Sequence, residues 1–313
     1  MDVRKAAYDN NSDEYDDFPE GEHYLQLSQT ERDMVDMVCS NFDNVIVVYN
    51  GANQFELGFT DEYPQIKSVV WCPGTGNVGF NALGKVFSGE VNPSGKTPDT
   101  FIYDMTTAPW WNNGEKIEYT NLADMAVEGM NAGSPQVYAP AFTNYVEGIY
   151  VGYKYYETAA QEGFIDYDKT VQYPFGYGLS YTEFEQKMGE LEEKDGQISV
   201  DVEVTNTGDV AGKDVVEVYY KPPYTNGGIE KSSANLIEFA KTDLLQPGES
   251  QTVTVTFSIE DMASYDENNA KAYVLEKGDY VISINSDSHT VLDQKTYTCL
   301  LYTSPSPRDP KTS

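Results

Sequence analysis

Between Ile198 and Val204 every second residue is aliphatic (Ile198, Val200, Val202, Val204), and Ser199, Asp201 and Glu203 between them are polar. A period of two turns one side of the backbone to an apolar interior and the other to water, as in a half-buried antiparallel strand. The alternation returns in Val253-Val255-Phe257 and Tyr280-Ile282-Ile284, and Val215 to Tyr220 reads as a further strand. Asn206-Thr207-Gly208, Pro247-Gly248 and Gly278-Asp279 supply the turns. Several short strands with regular turn signals over roughly a hundred residues indicate a β-sandwich.

Upstream the period changes. Ser28-Gln29-Thr30-Glu31 has the form of a capping box, and Met34, Val35, Met37 and Val38 follow as a helical stripe. Asn44 to Asn50 and Ile66 to Cys72 are rich in β-branched residues and read as strands buried on both faces. The second runs into Pro73-Gly74-Thr75-Gly76, after which Phe80, Leu83, Val86 and Phe87 mark another helix. Strands alternating with helices to about residue 105 imply a parallel, doubly wound sheet. Beyond Trp110 the periodicity fades; Leu122 to Met130 is expected as a short helix and Tyr150 to Tyr156 as a strand. The organisation expected is an acidic loop over 1–22, an α/β domain over 23–184, a charged linker over 185–197, an all-β domain over 198–298 and a tail over 299–313.

Charge narrows the function. Fifty-one acidic residues against 20 basic ones give a formal charge of −31. Nucleic-acid binders neutralise phosphates with clustered Lys and Arg, so neither a nucleic acid nor an anionic membrane surface is an expected partner. The longest apolar run, Val45 to Tyr49, falls far short of the ~20 residues of a membrane span. No stretch of signal-peptide type follows Met1. The only histidines are His23 and His289, and the three cysteines lack metal-ligand spacing, so no zinc site is expected. Cys39 and Cys72 sit in apolar stretches and read as core thiols.

Two motifs have a sharp and a bland reading. Gly74-Thr75-Gly76-Asn77-Val78-Gly79 fits a dinucleotide fingerprint, but the acidic residue that would hold a ribose about 20 positions on is replaced by the turn-rich Asn92 to Pro98. A tight strand-to-helix turn explains the glycines. Asp9, Asn11, Asp13, Tyr15, Asp17 and Glu20 match the ligand spacing of a calcium loop, yet Glu14 stands where that loop needs glycine. Seven of the fourteen residues from Asp9 to Glu22 are acidic, and solvated loop is the expected state. Tyr153, Tyr155, Tyr156, Tyr173, Phe175, Tyr177 and Tyr181 form an aromatic region that could stack on sugars; an interdomain seam is the expected use. With so many carboxylates, spacing alone selects no acid–base pair.

Three segments together resemble the C-terminal half of the family 3 glycoside hydrolases. They are Ser88-Gly89-Glu90-Val91-Asn92-Pro93-Ser94-Gly95-Lys96 with Asp99-Thr100, Tyr145 to Thr158 (YVEGIYVGYKYYET), and Tyr173 to Phe184 (YPFGYGLSYTEF). The resemblance extends from about His23 to Thr298 and implies a Rossmann-like α/β sandwich followed by a fibronectin type III-like domain. It further implies retaining cleavage of β-glucosides or related oligosaccharides, without metal or organic cofactor. Retention takes a nucleophilic carboxylate and a general acid about 5–5.5 Å apart.

In the family the nucleophile is an Asp on a (β/α)8 barrel, which is missing from this sequence. The acid is typically a Glu in a Gly-Glu-Gly-like loop ahead of a segment resembling Tyr24 to Ser28. Glu22, in Glu20-Gly21-Glu22, is the one candidate here, and it sits too late in register. The acid is therefore expected upstream of Met1, and no catalytic residue is expected within the chain. Cys299 to Asp309 resembles a translated sequencing adapter, and the family-like sequence stops at Thr298. The chain is similar to members of reversed domain order, in which the barrel follows the sandwich. Without the tail two cysteines remain, as suits a reducing compartment, and bacterial cytoplasm is the expected location. The alternative class is a natural stand-alone carbohydrate-binding or interaction module.

Overall fold

The computed structural model describes residues 17–18, 22–23, 25–111, 117–118, 121–131, 134–138, 141–142 and 145–300. The chain forms two compact units. One contains Met1–Val47, Asn53–Val70 and Tyr103–Gly148; the other contains Val48–Ala52, Trp71–Ile102 and Ile149–Ser313.

Helix α1 (Gln29–Asn41) starts where the sequence places it. The Ser28 hydroxyl accepts from the Glu31 N–H at 3.3 Å, and the Ser28 N–H donates to the Glu31 carboxylate at 2.9 Å. This reciprocal pair satisfies two donors that a helix start otherwise strands. Asp17 of the calcium-like pattern accepts from the Thr30 N–H at 3.0 Å, while Asp9, Asn11, Asp13, Tyr15 and Glu20 lie outside the described residues.

Strands β1 (Val45–Tyr49) and β2 (Ile66–Trp71) pair with each other. The Val45 N–H donates to Gln65 C=O at one end and the Cys72 N–H to Tyr49 C=O at the other, so the pair runs parallel. Both strands were expected to be buried on both faces. Instead every residue of β1 and β2 keeps some exposure. A parallel strand is buried only when layers cover both its faces, and among the described residues this parallel sheet has two strands.

The Gly74–Gly79 turn leads into α2 (Phe80–Phe87). A Cβ on Gly79 would stand 2.4 Å from the Thr75 carbonyl oxygen, so close backbone packing accounts for that glycine. Strand β3 (Phe101–Ile102) follows. In the first unit, β4 (Ile117–Glu118), the short α3 (Leu122–Met125), β5 (Val127–Asn131), β6 (Ser134–Tyr138) and β7 (Ala141–Phe142) make two small antiparallel pairs, β4 with β7 and β5 with β6. The helix expected to reach Met130 stops at Met125.

The strand expected over Tyr150 to Tyr156 is also different. Helix α4 (Tyr153–Gln161) begins there, entered through Gly152 at φ +60°, and it buries Tyr156, Glu157 and Ala159. Aromatic β-propensity is a weak preference that packing of one helix face overrides. Helix α5 (Tyr167–Thr170) and β8 (Val171–Tyr173) complete this part, β8 pairing antiparallel with β3.

The sandwich is built from β9 (Phe184–Lys194), β10 (Gln197–Asn206), β11 (Val215–Lys221), β12 (Asn235–Lys241), β13 (Ser250–Ser258), β14 (Ser264–Asp266), β15 (Ala272–Val274), β16 (Gly278–Asn285) and β17 (Val291–Cys299). One sheet has the order β13-β10-β9 and the other β12-β11-β16-β17; β14 and β15 form a separate hairpin. The register sets Val200 opposite Val255 and Val202 opposite Val253. These side chains meet Val216, Val218, Ile282 and Ile284 of the other sheet in a continuous buried core.

The stretch read as a charged linker is β9 itself. It pairs with β10 from Lys194–Gln197 to Phe184–Asn206 around a turn in which Asp195 (φ 52°) and Gly196 (φ 79°) take the positive φ that two-residue hairpins need. Its charges are those of an edge strand, where Lys and Glu discourage further pairing. Cys299, assigned to the tail, closes β17 opposite Gly278 and is a buried core residue. Residues 301–313 lie outside the described set.

Several bonds within the second unit join distant parts of the sequence. The Asn92 side chain accepts from the Tyr181 N–H (2.8 Å) and the Ser180 hydroxyl (3.0 Å), and donates to Ala211 C=O (3.1 Å). Lys96 donates to Ser286 C=O and Lys241 to Ser94 C=O. Tyr153 stacks on Phe175 at 4.7 Å and meets Tyr219 of β11 edge-on at 6.1 Å. For these rings the seam reading holds.

Candidate functional site

Glu22, the candidate acid, lies in the first unit. Its Oε1 is 3.8 Å from the Arg32 guanidinium, both side chains being partly exposed. Its Oε2 is shielded from solvent and has no hydrogen-bond partner among the described residues. The next residue, His23, accepts from the Leu25 N–H at Nδ1 (3.2 Å) and has Nε2 3.2 Å from Glu56. With Nδ1 accepting, Nε2 is the ring nitrogen that carries a hydrogen towards Glu56. Glu56 also accepts from the Met105 N–H at 2.6 Å, and the His23 ring lies 4.7 Å from that of Trp111. A retaining site needs two carboxylates on opposite sides of a bond. Among the described residues the ion-pair partner of Glu22 is the Arg32 guanidinium.

The second unit holds a denser cluster. Glu157, on the buried face of α4, accepts from the Tyr167 hydroxyl (2.7 Å), the Ser288 hydroxyl (2.8 Å) and His289 Nδ1 (2.8 Å). The His289 ring lies flat on Tyr167, centroids 3.6 Å apart and planes 10° from parallel. The bond to Glu157 raises the His289 pKa above 6.5 against the opposing effect of burial; nearby Asp287 and Asp168 act in the same direction as Glu157. Burial, and then the Glu157 charge, hold the Tyr167 hydroxyl firmly protonated. Glu157, Tyr167, Ser288 and His289, with Ala160, Gln161, Ile165, Ser233 and Ala234, line an open cavity of about 430 Å³.

Close by in sequence to the seam, Glu217 of β11 is buried and accepts from the Tyr219 hydroxyl at 2.8 Å. Burial pushes its pKa up to about 7, with Tyr219 and Lys96 pulling the other way. Gly176, at φ +82°, presses on it: a Cβ there would stand 2.4 Å from Glu217 Oε2.

Sequence reasoning missed both second-unit clusters. Glu157 and His289 are separated by 132 positions, and His289 was weighed only as a metal ligand. The available signal was Glu157 itself, a carboxylate in an otherwise aromatic and apolar helix face. No group of three or more His, Cys, Asp or Glu side chains among the described residues is placed to hold a metal ion.

Comparison with known proteins decides the family. Residues 5–153 match the glycosyl hydrolase family 3 C-terminal domain, and residues 214–288 match a fibronectin type III-like domain. The chain belongs to glycoside hydrolase family 3. Within that family it is 35% identical over 267 residues to a beta-glucosidase of Ruminococcus albus, covering 83% of this chain and 24% of that protein. It is 37% identical over 283 residues to beta-glucosidase A of Butyrivibrio fibrisolvens, covering 84% and 30% respectively. Among solved structures, a beta-glucosidase from Paenibacillus barengoltzii superposes with a TM-score of 0.74 at 32% identity, over 93% of this chain and 29% of that one. A Kluyveromyces marxianus beta-glucosidase in complex with glucose gives 0.72 at 26% identity, over 89% and 30%. This family 3 chain thus spans about a quarter to a third of the length of the relatives it matches.

Proposed function

We propose that these 313 residues are the α/β and fibronectin type III-like part of a retaining β-glucosidase-like enzyme that hydrolyses β-glucosides or related oligosaccharides. The observation that carries this reading is the match of both parts, in this order, to a group of beta-glucosidases three to four times as long. The nucleophile then comes from a barrel outside these residues, and the chain alone is inactive. One carboxylate cannot carry out a double displacement.

The test is turnover of an aryl β-glucoside by the purified chain. No hydrolysis above buffer is expected for the wild type or for Glu22→Gln. Turnover by the wild type that Glu22→Gln abolishes would make Glu22 the acid and refute the need for an external barrel.

A further inference from the structure

The turn from Ser286 to Thr290, between β16 and β17, is held from two sides, and two groups whose pKa is raised, His289 within it and Glu217 beside it, stand at those contacts. On one side Glu157 of α4 holds Ser288 Oγ and His289 Nδ1, and Tyr167 of α5 stacks on the imidazole. The charged groups acting on His289 are Glu157 from α4, Asp168 from α5 and Asp287 from the turn. On the other side Lys96 donates to Ser286 C=O at 3.1 Å, and Glu217 of β11 feels Lys96, Asp287 and Asp214, with Tyr219 donating to it.

Inside the turn, one Asp287 oxygen accepts from the N–H groups of His289 (2.9 Å) and Thr290 (2.8 Å). The Ser288 N–H donates outward to Phe175 C=O at 2.8 Å. The Ser286 N–H also donates to Thr290 C=O (3.1 Å) and the Ser286 hydroxyl to Asp287 (3.2 Å), so the turn is tied within itself as well as to its surroundings, and its lateral side-chain bonds run through Ser288 and His289 to Glu157 and through Ser286 to Lys96.

We propose that the Ser286–Thr290 turn is a pH-responsive clasp, closed in weak acid and loosened above neutrality. In weak acid an imidazolium faces the buried Glu157 carboxylate and lies over the Tyr167 ring, an arrangement that favours the cation. On the same side of neutrality Glu217 is uncharged, so Asp287 and Asp214 face no third carboxylate. In alkali the imidazole loses its charge while Glu217 gains one. Both changes weaken the same turn. The signs agree: a group whose folded pKa is raised stabilises below its unfolded value and ceases to do so as pH rises through the folded one. For His289 that loss starts above 6.5, and for Glu217 it runs from 4.5 to about 7.

Amide hydrogen exchange on the full chain at pH 5.5 and 8.5, each corrected for the intrinsic rate, tests the clasp. Peptides covering 286–290 and 166–170 are expected to lose protection at the higher pH. Peptides of β10 are expected to keep theirs. In the double variant His289→Gln, Glu217→Gln the difference between the two pH values should vanish. Wild-type protection that is independent of pH, an equal loss in β10, or a pH response retained in the double variant each overturns the proposal. If the double variant does not fold, the two imidazoles of the wild type decide by NMR titration. His289 must titrate above 6.5 and drop on Glu157→Gln; an unshifted His289 overturns the clasp.

Discussion

Replacing Asn206 by Leu should unfold the sandwich more readily than most single changes can. Asn206 is fully buried at the end of β10 and uses its whole amide. Nδ2 donates to Val210 C=O (2.8 Å) and Leu245 C=O (3.0 Å), and Oδ1 accepts from the Gly208 N–H (3.1 Å) and the Thr182 hydroxyl (2.7 Å). Leucine has nearly the same volume, so the loss is one of hydrogen bonds and not of packing. Four bonds at about 1 kcal/mol net each set the scale at about 4 kcal/mol. Leu245 C=O retains the Gly212 N–H and softens the loss, whereas Gly208 N–H and Val210 C=O lose the contacts just named. A loss of about 3–4 kcal/mol is thus expected, a large part of the 5–15 kcal/mol typical of a folded domain. Urea unfolding followed by far-UV circular dichroism reads it as a lower midpoint at constant slope. Asn206→Asp should be equally harmful at pH 7, because an anionic oxygen then faces two carbonyls, and should recover partly in acid as the carboxyl gains a proton to donate. A shift below about 1 kcal/mol for Asn206→Leu would sink the view that this amide holds the β10 corner.

Ile282→Ala, in the centre of the buried cluster, should cost about 2–5 kcal/mol in the same urea assay, whereas Glu192→Ala on the exposed side of β9 should move the midpoint hardly at all. Gly176→Ala combines a strained φ of +82° with an approach of 2.4 Å to Glu217, and should lower the thermal midpoint by several degrees; Glu217→Gln should not relieve it, since the side chain is the same size. Thermal midpoints measured across pH should peak at about 4.5, where the unfolded chain begins to give up the Glu217 proton that the folded one keeps, and fall on both sides. Above it the raised pKa values of His289 and Glu217 remove stability, and below it the lowered carboxyl pKa values of Asp17 and Asp266, set by backbone N–H bonds, do so as pH drops through them. His289→Gln should flatten the alkaline side alone.

What the sequence made legible was whatever a short-range pattern controls. Ile198 to Val204 announced β10 because alternation fixes the face, and Ser28 with Glu31 announced α1 because a capping box lies within four residues. Residues 185–197 failed for the opposite reason. The same charges that solvate a linker also protect an edge strand, and only the pairing of Lys194 with Gln197 separates the two readings. Tyr150 to Tyr156 failed because aromatic rings suit either a strand or a helix, and the choice depends on what Tyr156 and Glu157 pack against. The clusters at Glu157 and Glu217 were illegible as sites. Each brings together side chains from three or more stretches of chain, and no local spacing encodes their meeting. Family resemblance reached the α/β and sandwich parts from three short motifs, but not the contacts that join them.

Those contacts bear on how such a chain can be cut and recombined. An engineer guided by the change of periodicity would graft the sandwich as a cassette starting near residue 185. The cassette would leave behind Asn92, Lys96 and Phe175, and with them the partners of Ala211, Ser286 and Ser288. Tyr219 would lose the ring of Tyr153 and be exposed on a new surface. A transferable piece has instead to carry Val48–Ala52 and Trp71–Ile102 together with Ile149 onward, three segments interrupted by stretches belonging to the other unit. Chimaeras made at the apparent domain boundary should therefore be insoluble, and those that replace only Tyr103–Gly148 by a short linker should keep a folded sandwich.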